Sequence, residues 1–164
     1  MMPASVINLF TKFVIMPFLN DFKEYIKQNE LKKLKVLTNK IKGIIIAFGA
    51  FCISLAYFLG PEVLSYIYGV ELDLYRINLC LIIAAYILYS LSYLDLVVLT
   101  TLRNTLIQFV IYIFGTLVAF IGSNMLVSRF EINGATFSCL ITLGYLFLAY
   151  FIVSKNIYKK NTNL

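Results

Sequence analysis

Residues 77–99, INLCLIIAAYILYSLSYLDLVVL, carry a single charge, Asp95, in a run otherwise built from apolar and small polar side chains. At 1.5 Å of rise per residue, a helix of this length covers the ~30 Å hydrocarbon thickness of a bilayer. A barrel strand would be about 10 residues long with strict apolar–polar alternation. This run does not alternate, so it predicts a membrane-spanning helix.

Three further runs of the same kind lie on either side, at 43–59, 106–127 and 134–154. The first ends at Gly60-Pro61, where Pro cannot continue a helical hydrogen-bond ladder. The predicted fold class is therefore an all-α integral membrane protein, with residues 1–164 forming one membrane domain of four transmembrane helices. Composition agrees: 61% of the 164 residues are apolar and 13% charged, with a mean hydropathy of +0.87, against roughly half and a quarter in soluble domains.

The connections 100–105 and 128–133 are short and make their helices antiparallel neighbours. The connection 61–76 is longer and carries Glu62, Glu71 and Asp73. Lys23, Lys27, Lys32, Lys33, Lys35, Lys40 and Lys42 precede the first span. Arg103 and the tail residues Lys155, Lys159 and Lys160, within 155–164, fall on the same side, whereas Arg76 and Arg129 fall on the other. The positive-inside rule puts the lysine-rich stretch and the C-terminus in the cytoplasm. The net charge of +6 is thus divided between apolar runs rather than gathered in a stripe, and no nucleic-acid partner is expected.

Upstream of the first span, residues 21–42 place Phe22, Ile26, Leu34, Leu37 and Ile41 at helical spacing, with Lys23, Lys27, Lys35 and Lys42 mostly elsewhere on the wheel. The pattern predicts an amphipathic cytoplasmic helix capped by Asn20 or Asp21. Either it rests on the inner leaflet, with these lysines touching anionic headgroups, or it is a solvated linker. Residues 4–19 are apolar but short, interrupted by Lys12 and closed by Pro17. They are expected to be a partial helix whose beginning lies upstream, making the chain a piece of something larger.

Few residues inside the runs carry chemistry. Asp95 is the one acid in a span, and an intramembrane carboxylate costs roughly 2.5 to 3.5 kcal/mol to insert. It either reaches headgroups or Arg103, or serves a polar cavity. Tyr86, Tyr89 and Tyr93 share a helix face with Ser90, which either lines a sugar-accepting cavity or packs against another helix. Asn124 is a polar candidate in the third span. Gly49, Gly115, Gly122 and Gly144 suit close helix approach. Cys52, Cys80 and Cys139 lie singly in different runs, and the chain has no His. Neither a metal site nor a cofactor is predicted. No phosphate loop or nucleophile elbow is present, so no catalytic residue and no enzyme activity is expected.

Several motifs in order resemble the polysaccharide flippases of the multidrug, oligosaccharidyl-lipid and polysaccharide exporter superfamily. They are Pro17-Phe18-Leu19 before the basic amphipathic stretch, and Gly60-Pro61-Glu62-Val63-Leu64-Ser65-Tyr66-Ile67-Tyr68-Gly69 after the first span. Asn124 falls in the third span, and Ser128-Arg129-Phe130-Glu131-Ile132-Asn133-Gly134-Ala135 joins the last two, with Glu131 where a Gly is usual. The resemblance implies that the four spans correspond to the last four helices of a two-lobed transporter in the bacterial cytoplasmic membrane. It further implies movement of undecaprenyl-diphosphate-linked oligosaccharide by alternating access, with the sugar in a cavity between lobes. The partners implied are the bilayer, the lipid-linked oligosaccharide and an N-terminal lobe in the same or a separate chain. On this reading the chain alone is inactive. The alternatives are a small four-helix scaffold of a polysaccharide synthesis complex and a membrane-embedded sugar transferase.

Overall fold

The computed structural model describes residues 2–69 and 76–162, and among them every regular element is a helix. Glu71, Asp73 and Tyr75 of the 61–76 connection lie outside the described residues, as do the side chains of Tyr68, Lys159 and Lys160. The chain runs through α1 (Met2–Ile15), a 3-10 turn (Met16–Phe18), α2 (Leu19–Lys27), α3 (Leu31–Phe58), α4 (Gly60–Tyr68), α5 (Arg76–Thr101) and α6 (Thr105–Thr162). Three helices are long and apolar enough to cross a membrane: α3, α5, and α6 over Thr105–Ile157.

The apolar stretch at 77–99 is α5, and it is the axis of the bundle. It contributes Leu91, Leu94 and Val98 to one buried cluster, Leu99 to a second and Ile83 to a third. The first cluster joins α5 to Ile15, Phe22, Leu34, Ile41 and Ile45; the second to Ile111, Leu146 and Tyr150; the third to Ile7 and Ala56. A helix apolar on all faces is explained by packing on all sides.

Residues 105–162 form two limbs rather than one rod. Glu131 has φ 48° and ψ −119°, outside the helical region, and the chain folds back there. Gly134 lies against the Leu126 backbone, Gly122 against Ser138 and Gly115 against Leu146, while the rings of Tyr112 and Tyr150 meet edge to face at 6.2 Å. These pairs run in opposite order along the two limbs, 105–130 and 132–162, which are therefore antiparallel. The turn is where the sequence predicts it. Gly144 has open space around it, so the close-approach reading holds for Gly115 and Gly122 and not for Gly144.

The N-terminal third departs from the predicted pattern. The expected amphipathic helix at 21–42 is two helices. α2 ends at Gln28-Asn29-Glu30, where Asn29 takes φ 57° and Glu30 N–H donates to Tyr25 O, a left-handed C-terminal cap that Asn tolerates. α3 then runs through the expected boundary at 42/43, because no Pro interrupts it and one Gly costs only about 1 kcal/mol. Neither Asn20 nor Asp21 caps α2; Phe18 precedes it with no side-chain cap. The apolar face of Phe22, Leu34 and Ile41 is covered by protein, chiefly α5, rather than left for a leaflet or solvent. Pro17 lies in the 3-10 turn that follows α1, and α1 packs through Phe10 stacked on Phe48 at 3.7 Å.

The turn at Glu131 supplies a test. A φ of 48° with ψ near −120° is the first central position of a type II′ turn, which favours Gly. Glu131→Gly is expected to stabilise the chain by about 1 kcal/mol, and Gly134→Ala to destabilise it by about 1 to 3 kcal/mol through the clash with the Leu126 backbone. Gly144→Ala is the neutral-to-stabilising control. Unfolding in mixed detergent micelles measures all three.

Candidate functional site

α3 and α5 are antiparallel and in close contact: a Cβ on Gly49 would come within 2.5 Å of Ile87 Cδ1. Two turns further along, the same register brings Lys42 Nζ to 2.8 Å from Asp95 Oδ2. Asp95 is fully buried, and the Lys42 side chain retains 18% exposure. The second limb of α6 closes the site. Phe151 places its ring 5.6 Å from Lys42 Nζ, a cation–π contact, and the buried Ser154 stands beside the Asp95 carboxylate. Asp95 is six residues from the end of α5, about 9 Å along its axis.

One ionic contact therefore joins three helices. Removing one partner of such a pair leaves an uncompensated charge, costing about 3 to 5 kcal/mol, whereas replacing both by apolar groups is often nearly neutral. Asp95 thus pairs neither with headgroups nor with Arg103, which is exposed at φ 59° in the α5–α6 turn. Lys42 is the one lysine of the predicted leaflet-contacting set that turns inward; Lys23, Lys27 and Lys35 are exposed.

The tyrosine face divides. Tyr86 and Tyr89 meet edge to face at 6.3 Å, and Tyr89 lies near Tyr112, which packs on the almost fully buried Tyr150. Tyr86 also packs against the cluster of Ile7, Ala56 and Ile83, while Tyr93 packs against that of Leu94 and Val98. Tyr93 lines a groove with Lys23, from α2, and Arg103. The shared face thus joins α5 to its neighbours at Tyr86 and Tyr89 and borders a groove at Tyr93. Ser90, on the same face, is fully buried. Asn124 is exposed on the first limb, where its backbone carbonyl accepts from Ser128 Oγ. At the opposite end from Asp95, Asn78 Nδ2 donates to Asn133 Oδ1 at 2.7 Å, tying the start of α5 to the hairpin turn.

Lys42, Tyr112, Tyr150, Phe151 and Ser154 were not legible as partners of the predicted residues. The available signal for Lys42 was depth: a lone acid one or two turns inside one span requires a base at matching depth in an antiparallel neighbour. Cys52, Cys80 and Cys139 are free and half-buried, and no group of metal-ligating side chains is found among the described residues. No family model, no curated protein and no solved structure matches the chain.

A double-mutant cycle measures the ion pair. Lys42→Met is expected to lower stability in micelles by about 3 kcal/mol, while Lys42→Met combined with Asp95→Leu returns to within about 1 kcal/mol of the parent. Strictly additive losses would contradict the coupling.

Proposed function

We propose that this chain is one membrane-embedded lobe of a lipid-linked oligosaccharide flippase, with α3, α5 and the two limbs of α6 as its four spans. The observation that carries the reading is the uneven burial of the apolar helices. In the most apolar 18-residue window, 44% of α5 is buried, against 22% of α3 and 11% of α6. Phe109, Phe114, Leu117, Phe120 and Ile121 on the first limb are all exposed. An outward apolar surface of this extent needs a bilayer, another protein surface, or both.

A flippase lobe accounts for both needs, because one side meets lipid and another meets a second lobe across the substrate path. The ordered motifs from Pro17 to Ala135 support this choice. The substrate is then an undecaprenyl-diphosphate-linked oligosaccharide, and the membrane the bacterial cytoplasmic membrane with the C-terminus inside. The buried Lys42–Asp95 pair gives the lobe a fixed packing register, as expected of a unit that moves as a rigid body in alternating access.

Two measurements test this. The chain should remain in the membrane pellet after alkaline carbonate extraction; release into the supernatant would contradict bilayer placement. In vesicles loaded with a fluorescent lipid-linked oligosaccharide, the chain alone should give no translocation above protein-free vesicles, and adding a matching N-terminal lobe should restore it. Translocation by the chain alone would refute the lobe reading. No transport with any lobe, together with co-purification of a polysaccharide synthesis complex, would replace it with the scaffold.

A further inference from the structure

At the end of α5 beyond Asp95, a groove of about 620 Å³ is lined by Leu19, Tyr93, Leu96 and Val97 on its apolar side and by Lys23 and Arg103 at its rim. Thr100 and Thr101 complete it, but their hydroxyls donate to the Leu96 and Val97 carbonyls. Thr100 Oγ1 also accepts from Gln108 Nε2 at 3.0 Å. Lys23 and Arg103 are therefore the groove's charged donors, with the Tyr93 hydroxyl as a neutral one. Both cations are exposed, neither is ion-paired with a described carboxylate, and no carboxylate lines the groove.

Lys23 and Arg103 come from separate elements, α2 and the α5–α6 turn. The turn is held by Asn104 N–H donating to Leu99 O and Arg103 N–H donating to Thr100 O, so the Arg103 backbone is fixed at the mouth. A guanidinium presents a planar fork matched to phosphate oxygens, and an ammonium adds a point charge. The apolar lining side chains Leu19, Tyr93 and Val97 pack on the cluster of Leu94 and Val98, and Leu96 on that of Leu99. A cationic rim over an apolar wall complements a molecule with a phosphate at one end and a hydrocarbon chain at the other.

We propose that this groove binds the headgroup of an anionic phospholipid, with the phosphate between Lys23 and Arg103 and the acyl chain along Leu19, Leu96 and Val97. The inference rests on bilayer placement and not on transport. Carbonate extraction tests that placement separately from lipid binding in detergent.

The test is native mass spectrometry of the full chain in detergent, titrated with phosphatidylglycerol, with diacylglycerol of the same chains, and with inorganic phosphate as competitor. Phosphatidylglycerol is expected to be retained over diacylglycerol. Lys23→Gln and Arg103→Gln should each weaken it about fivefold, the size of one lysine or arginine at an anionic surface. The paired Lys23→Arg, Arg103→Lys variant should bind within about twofold of the parent. Exposed lysines away from the groove, neutralised as Lys32→Gln with Lys40→Gln, should leave binding unchanged. Equal retention of diacylglycerol, an equal loss in the Lys32/Lys40 variant, or a loss in the charge-preserving pair as large as in the Gln variants would each overturn the proposal. Displacement of the lipid by equimolar inorganic phosphate would assign the groove to free phosphate instead and overturn it too.

Discussion

The contact between Lys42 and Asp95 constrains the arrangement of the whole bundle. A fully buried carboxylate in a mostly apolar helix is costly in its charged form unless a cation reaches it, and Lys42 reaches it in the observed register of α3 against α5. That register also sets Gly49 against Ile87 and brings Ala56 alongside Ile83. On the bilayer reading, helices gain little from burying apolar surface against each other rather than against lipid, and polar contacts and close packing at small residues then specify the pairing. Lys42–Asp95 supplies the first and Gly49 the second.

The hairpin of α6 uses the same two devices in a different proportion. Gly115, Gly122 and Gly134 let its limbs approach closely, and the Tyr112–Tyr150 pair fills the space near the open end. The hairpin meets α5 at both ends, through Asn78–Asn133 at the turn and through Ser154 beside Asp95, while Phe151 meets Lys42 of α3. One side of each limb is thus committed to the bundle. The remaining apolar surface faces outward, which on the flippase reading is where lipid and a second lobe make contact.

Local patterns were legible wherever one feature dominated. The apolar run at 77–99 falls inside the helix Arg76–Thr101, Pro17 ends the first helix, and the 128–133 turn contains the reversal, because apolar run length and helix breakers act locally. Glu131 takes the backbone conformation that favours Gly, which no apolar pattern encodes. The stretch 21–42 was harder, because its break depends on Asn29 accepting a left-handed conformation and its apolar face is covered by a distant segment. Lys42 looked like its neighbours in composition and differs from them only by tertiary position. The tyrosines of α5 were identified as a face, but their partners Tyr112 and Tyr150 depend on the register of the hairpin, which no local pattern encodes.

The most direct measurement of the account is the sidedness of three single cysteines, Glu30→Cys, Asn104→Cys and Glu131→Cys, in a chain whose native cysteines are replaced by Ala. A membrane-impermeant maleimide applied to intact cells should label Glu131→Cys alone, with the other two reacting only after permeabilisation. Labelling of Glu131→Cys from the same side as Asn104→Cys would show that residues 105–162 do not cross and return, and would contradict the four-span lobe.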